Sequence, residues 1–307
     1  MSPDECDGVV MLPHEIVSKL RYIQICSSKA VNEMLAGEYH SVFKGRGVEF
    51  HEVREYQTGD DVRSVDWNVT ARMGRPFVKR YVEERQLSLF FVVDLSASGR
   101  FGSTDKAKNE IAAELCALLA FSAIKNNDKV GLLIFTNKVE LFIPPGKGTS
   151  HVLRIIRTLL CFEPHRKGTD ISGALEYLGR LHHKKSVVFL VSDFLDSGYQ
   201  RPMQVIARRH DLIAVSVRDP GEIELPDAGL MTLVDAETGK RVVVDSSCTA
   251  VRQAFFARAQ ERQRALAESF AVMEIDHIPV ACGNDYLRDL IVFFRQRERK
   301  QSGEYVR

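Results

Sequence analysis

Three short segments, far apart in the chain, carry the residue types that would make one metal site if they met in space: Asp94-Leu-Ser-Ala-Ser98, Gly168-Thr169-Asp170 and Ser192-Asp193-Phe194. The candidate ligands are Asp94, Ser96, Ser98, Thr169 and Asp193. Two carboxylates and three hydroxyls are hard oxygen donors, which suit Mg²⁺, Mn²⁺ or Ca²⁺. They suit Zn²⁺ poorly, because Zn²⁺ favours thiolate and imidazole. Mg²⁺ takes six ligands at about 2.0–2.1 Å and keeps several waters. Five side chains, some acting through water, would leave one position open to an outside ligand. Taken singly, each segment has an ordinary explanation: Thr-Asp before a helix is a common N-cap, and Asp after a strand is a common turn residue. The order and placement of all three together carry the metal reading.

The elements that must position these residues are legible in the apolar pattern. Leu87 to Asp94 is a continuous apolar run ending at a carboxylate, as expected of a strand buried on both faces in a parallel sheet. Lys106 to Lys125 then shows helical spacing, so Asp94, Ser96 and Ser98 fall at the carboxyl end of a strand. Ligands bind at that edge of open α/β sheets. The second segment sits where a loop becomes a helix through Tyr177, Leu178 and Leu181, with Asp170 placed to cap it; the third follows another buried-strand pattern, Ser186 to Val191. The remaining alternation is strand 129–135, an antiparallel edge strand 139–143, helix 151–160, helix 203–209 and strand 211–217. An inserted hairpin at about 221–245 turns at Thr238-Gly239, followed by a helix from 249 to about 269, a strand 272–280 and a helix 285–295 with a charged, fraying tail. Such alternation calls for a mainly parallel, doubly wound, Rossmann-type sheet with right-handed crossovers. Ahead of it, residues 13–35 form an amphipathic helix stopped by Gly37. Residues 45–85 read as two strands around a turn and a short helical piece, anchored by Trp67, the only tryptophan. Three parts result: an N-terminal helix (1–38), a small mixed-charge β segment (39–86) and the α/β domain (87–300).

The three loops resemble the metal-ion-dependent adhesion site of von Willebrand factor type A domains, with Asp94, Ser96 and Ser98 matching its first loop, Thr169 its second and Asp193 its third. Upstream stand Gly45-Arg-Gly-Val-Glu-Phe50, Arg54-Glu-Tyr56, Gly59-Asp-Asp-Val-Arg63, Asp66-Trp67 and Thr70-Ala-Arg72. This composite resembles the bacterial family catalogued as domain of unknown function fifty-eight, whose members join such a segment to a von Willebrand factor A-like domain. The resemblance covers roughly 39 to 219. It implies a bound Mg²⁺ (or Mn²⁺), a protein partner offering an acidic residue, and association with a MoxR-type AAA+ ATPase or its client. Where many relatives have Met after the last serine, this chain has Gly99-Arg100-Phe101, which alters the rim of the site and none of its five ligand positions.

Composition bounds the alternatives. A chain of 307 residues with 45% hydrophobic content can bury a substantial core. Lys+Arg at 42 against Asp+Glu at 41 gives a net charge of +1, so no global field favours nucleic acid or an anionic membrane. Residues 45–85 hold eight basic and eight acidic side chains, a balance that reads as ion pairing. No stretch approaches the roughly 20 apolar residues of a membrane span. The acidic opening Met-Ser-Pro-Asp-Glu-Cys-Asp lacks the features of a secretory signal. Six cysteines without a C-x-x-C pair fit reduced thiols, and a cytoplasmic location is expected. Cys116 reads as core packing, and Cys161 with His165 offers too few ligands for a soft metal. His182-His183 reads as a cationic complement to a helix end.

Three function classes follow. In the first, the chain is a metal-dependent binding adapter whose open coordination position takes a partner's carboxylate. In the second, a Mg²⁺-dependent phosphatase or hydrolase uses the same carboxylates, but no histidine, phosphate-cradling loop or D-x-D arrangement accompanies them. In the third, the site is vestigial and serves stability alone.

Overall fold

The computed structural model describes residues 48–83 and 87–302, together with Arg21, Tyr39, Val42 and Phe43. The helix expected at 13–35 lies outside the described residues. The chain divides into two units, Phe43–Leu87 and the remainder. Tyr39 belongs to the larger unit: its ring packs edge-on against Phe294 at 6.4 Å and its hydroxyl donates to Asp128 Oδ2 at 3.1 Å.

The larger unit is a mixed α/β fold around a six-stranded, mostly parallel sheet. Its elements are β3 (Ser88–Asp94), α2 (Lys108–Lys125), β4 (Lys129–Phe135), β5 (Val139–Gly146), α3 (Thr149–Cys161), α4 (Ile171–Leu181), β6 (Val187–Ser192), α5 (Gln200–Arg209), β7 (Asp211–Arg218), β8 (Leu230–Val234), β9 (Arg241–Asp245), α6 (Thr249–Val272), β10 (Asp276–Ala281) and α7 (Tyr286–Ser302). Strand order is β10-β7-β6-β3-β4-β5, with β5 antiparallel at the edge. Pro144 and Pro145 sit on that edge strand, where a missing N–H costs no ladder bond and discourages further pairing.

The central strands β3, β4, β6 and β7 are the continuous apolar runs, buried almost throughout. Phe90, Val92, Leu133, Val188 and Leu190 face a core shared with Ile171, Leu175 and Leu178 of α4, Met203 and Ile206 of α5, and Phe270 of α6. Helix α2 packs on β3, β4 and β7 outside that cluster and is buried along most of its length, Cys116 included. The inserted hairpin β8–β9 pairs only with itself.

Three expectations about the larger unit need correcting. Helix α6 runs on to Val272, so β10 starts at Asp276 and not at Val272; a turn through Glu274, with φ 56°, separates them. Helix α7 continues to Ser302 where fraying after 295 was expected, because Arg297 pairs with Asp211 and Asp276, and Lys300 lies 3.3 Å from Asp276. Burial, with the charges of His183 and Lys184, holds the His182 imidazole below its ordinary pKa. Its Nε2 lies 2.7 Å from Ser186 Oγ and its ring packs on Phe90, so packing outweighs any role as a cationic cap.

The smaller unit pairs β1 (Val48–Glu55) antiparallel with β2 (Phe77–Glu83), joined through a short 3₁₀ turn and helix α1 (Trp67–Met73). Asp66 caps α1 by accepting from the N–H groups of Asn68 and Val69, and Gly74, with φ 69°, ends it. Arg54 pairs with Asp60 at 2.7 Å and Arg75 with Glu55 at 3.1 Å, as the mixed-charge pattern implied. Trp67 is not an anchor: it opens a helix that buries no side chain and is 68% exposed.

His277 on β10 supplies a pH prediction. Its Nε2 lies 2.7 Å from Ser216 Oγ on β7, and burial together with the charge of Arg218 pushes its pKa down to about 4. Between that value and its ordinary 6.5, the unfolded chain binds the proton that the folded one refuses. The contribution is therefore fully present above pH 6.5 and lost as pH falls toward 4. The Tm of the wild type should fall across that window, and His277→Gln should flatten the fall by about 2 kcal/mol in ΔG. Parallel melting curves for the two proteins would refute it.

Candidate functional site

The site is assembled at the carboxyl edge of the sheet by the β3–β6 pairing. Val93 pairs with Val191 in parallel register, so the chain leaves both strands side by side, with Asp94 next to Ser192. Ser192 Oγ donates to Asp94 Oδ2 at 2.7 Å, and the Ser96 N–H donates to Asp94 Oδ1 at 2.9 Å. Beyond Asp94 the chain turns into a 3₁₀ turn, Ala97–Arg100, which brings Ser96 Oγ within 3.0 Å of Ser98 Oγ. The second loop is stitched to the first through the Ala97 N–H, which donates to the Lys167 carbonyl at 3.0 Å. Asp170 is a helix cap, its carboxylate accepting from the Gly173 N–H at 2.8 Å. In the third loop Phe194 has φ 57°, an uncommon conformation for an aromatic residue. Its ring is held edge-on against Phe270 at 5.0 Å, and this anchors the turn that presents Asp193.

Asp94, Ser96, Ser98 and Asp193 line a small cavity of about 20 Å³, on the scale of a single water or ion. Thr169 stands outside that lining; its Oγ1 donates to Glu237 Oε1, on the turn of the β8–β9 hairpin, at 2.7 Å. Four of the five candidate side chains thus meet around one point, and the fifth is engaged by a carboxylate of the chain itself.

Several neighbours were not singled out by motif. Lys108, the first residue of α2, is 3% exposed, and its ammonium lies 2.8 Å from Asp193 and 2.5 Å from Glu222. Burial alone would lower its pKa, but the charges of Asp193 and Glu222 outweigh that and hold it above the ordinary value. Asn109 also lines the cavity, and its side-chain oxygen is buried without a hydrogen-bond partner. Ser192 was visible only as the residue before Asp193. For Lys108, Asn109, Glu222 and Glu237 no spacing signal existed, because each comes from an element whose position is set by packing.

Asp94 is the electrostatic centre. Burial pushes its pKa up to about 6 and the charge of Asp193 adds to this, against hydrogen bonds from Ser192 and Ser96 that favour the ionised form. A carboxylate held in that balance gains from any cation brought against it. Two carboxylates, two hydroxyls and an orphaned amide oxygen, donors of the kind a hard divalent ion takes, line a space of ion size together with the Lys108 ammonium, which already pairs with Asp193. Among the described residues no cluster of three or more His, Cys, Asp and Glu is placed to hold a metal.

Residues 52–265 match the profile of the family described as "Protein of unknown function DUF58". The chain belongs to that family. An uncharacterized protein of Mycobacterium tuberculosis strain H37Rv is 32% identical over 289 residues, covering 93% of this chain and 90% of that protein. The uncharacterized protein YeaD of Bacillus subtilis is 28% identical over 107 residues, covering 35% of this chain and 25% of YeaD. Among solved structures, the conserved hypothetical protein BatB from Bacteroides thetaiotaomicron is 16% identical, covering 71% of this chain and 100% of its own, with a TM-score of 0.45. An aerotolerance-related membrane protein from Bacteroides fragilis is 16% identical, covering 70% and 99%, with a TM-score of 0.47. Among the described residues no helix is long and apolar enough to cross a membrane.

The Lys108 cluster generates a stability prediction. Removing the ammonium leaves Asp193 and Glu222 facing one another at a largely buried point. Lys108→Met should cost about 3 kcal/mol in urea denaturation. A loss below about 0.5 kcal/mol would mean that solvent screens the cluster.

Proposed function

We propose that this chain is a metal-dependent protein-binding adapter built on a von Willebrand factor A-like domain. Asp94, Ser96, Ser98 and Asp193 hold Mg²⁺ or Mn²⁺, directly or through water, with Thr169 in reserve at the rim. Bound there, the ion supplies an open coordination position for an anionic group. The observation that supports this most is the convergence of Asp94, Ser96, Ser98 and Asp193 on one ion-sized cavity at the carboxyl edge of the sheet.

The chain's own residues do the rest. Ser192 and the Ser96 N–H orient the two oxygens of Asp94, so that its free lone pairs are aimed and not mobile. Lys108 offsets the charge of Asp193 and positions it from the side of α2. Phe194 excludes water from beneath the third loop. The partner is a protein offering an acidic residue, and the family resemblance points to a MoxR-type AAA+ ATPase or its client, so that the chain would serve in the assembly or maturation of another complex in the cytoplasm.

Titration with Mn²⁺, followed by electron paramagnetic resonance, tests the site directly. Wild-type protein should bind one ion, and Asp94→Ala should weaken binding by about a hundredfold while circular dichroism stays unchanged. Equal binding in the two proteins would remove the site. Capture of a MoxR-type ATPase from lysate in Mg²⁺, lost in chelator and in Asp94→Ala, would support the adapter. Turnover of generic phosphoesters that disappears in Asp94→Ala would replace it with a hydrolase.

A further inference from the structure

Both edge strands of the central sheet carry proline, Pro144 and Pro145 on β5 and Pro279 on β10. Proline on an edge discourages pairing with another chain. Strand β9, Arg241-Val-Val-Val-Asp245, has no such protection. It pairs with β8 on one side and, among the described residues, with nothing on the other. A hairpin of two strands is marginal by itself, and this one leaves Leu230, Val234 and Val243 between 54% and 77% exposed.

The register of the hairpin fixes what its open edge presents. The Asp235 N–H donates to the Lys240 carbonyl at 2.9 Å at one end, and the Ser246 N–H to the Gly229 carbonyl at 2.8 Å at the other. Bonded and non-bonded pairs alternate along an antiparallel ladder. Val242, opposite Leu233, and Val244, opposite Met231, therefore bond to β8. Arg241, Val243 and Asp245 turn their N–H and C=O groups to the open side. Their side chains share one face of the hairpin with Val234, Thr232 and Leu230, the residues opposite them. These three residues are arranged symmetrically about Val243, with a cation two positions before it and a carboxylate two positions after. Arg241 is exposed and has no ion-pair partner among the described residues. Hydrogen bonds from the Ser247 hydroxyl and N–H hold the Asp245 carboxyl below its ordinary pKa, so it is ionised at neutral pH, and both fall on Oδ1.

We propose that the open edge of β9 binds a second copy of this chain, β9 against β9 in antiparallel pairing about a two-fold axis at Val243, to form one four-stranded sheet. In that register Arg241 lies opposite Asp245 of the second copy, Val243 opposite its counterpart, and Asp245 opposite Arg241 of the second copy. All three are pairs of the hydrogen-bonded kind, so every N–H and C=O turned to the open side by Arg241, Val243 and Asp245 finds a partner at once. Opposite charges directly across a ladder stabilise it and like charges destabilise it. Sliding by two residues in either direction loses both ion pairs, so the charges select this register, and their symmetry selects a second copy over a foreign strand. The edge of β8 offers Leu230, Thr232 and Val234, with no charge to set a register. A contact of this size makes a weak, concentration-dependent dimer. The added strands would also steady the hairpin whose turn brings Glu237 to Thr169.

Sedimentation velocity of the full chain tests this, in chelator so that the metal site plays no part, at low ionic strength and from about 1 μM to about 1 mM. The wild type should pass from monomer to dimer over that range. Val243→Pro removes an N–H that the hairpin does not use and should stay monomeric. Arg241→Asp sets carboxylate against carboxylate at both ends of the pairing, and Asp245→Arg sets guanidinium against guanidinium. Each should weaken the dimer by about tenfold or more. An equimolar mixture of those two variants re-creates both ion pairs and should dimerise about as well as the wild type, a recovery that damage to the fold of either variant could not give. A wild type that stays monomeric, a dimer indifferent to these substitutions, or a mixture no better than its components overturns the proposal.

Discussion

Asp94 sits at the end of a strand buried on both faces, beside a second strand whose last residue donates to it, and most of what is distinctive in the molecule answers to that placement. The parallel register of β3 and β6 puts Ser192 Oγ 2.7 Å from Asp94 Oδ2 and delivers Asp193 immediately beyond. A one-residue slip in that pairing would turn one of these two side chains to the opposite face of the sheet from the other. The apolar runs of β3 and β6 forbid such a slip only weakly, since either face of each strand is buried. The loops therefore share the task of fixing it: Ala97 holds Lys167, Ser192 holds Asp94, and Phe194 is clamped on Phe270.

The same burial that defines the strands creates the electrostatic problem at their ends. Asp94 is 8% exposed and Lys108 3%, and a charge so placed must find a partner or change its protonation. The chain uses both routes. Lys108 neutralises Asp193 and Glu222 from the side of α2, while Asp94, supported by hydroxyls and an N–H but by no cation of its own, has its pKa raised to about 6. The small cavity beside these two unequal carboxylates is also lined by Asn109, whose side-chain oxygen is buried without a hydrogen-bond partner. Glu237, half-buried on the hairpin turn, accepts the Thr169 hydroxyl at 2.7 Å at the margin of the site.

The smaller unit follows a different logic. It pairs two strands whose described charges are matched locally, Arg54 with Asp60 and Arg75 with Glu55, and its helix is stabilised by its caps and not by a buried face. A segment of that size cannot enclose an indole and still cover it. Trp67 was legible as a large apolar residue in a short apolar-poor segment; that it stands outward on the first turn of α1 was not, because helical position depends on where Asp66 starts the helix.

By itself the sequence determined the parallel core, since long apolar runs can be satisfied only between two layers of helices, and it determined that Asp94, Ser96, Ser98 and Asp193 end such runs on one edge. Local chemistry was equally legible in Asp170 as a cap and in the Thr238-Gly239 turn, because both depend on neighbours within a few residues. Tertiary structure alone decided that Lys108 stands against Asp193, that Glu237 reaches Thr169 across 68 residues, and that α7 persists to Ser302 on the ion pairs of Arg297. The physical reason is range. Hydrophobic periodicity and turn chemistry act along the chain, whereas the partner of a charge is chosen by whichever element packing brings within about 4 Å.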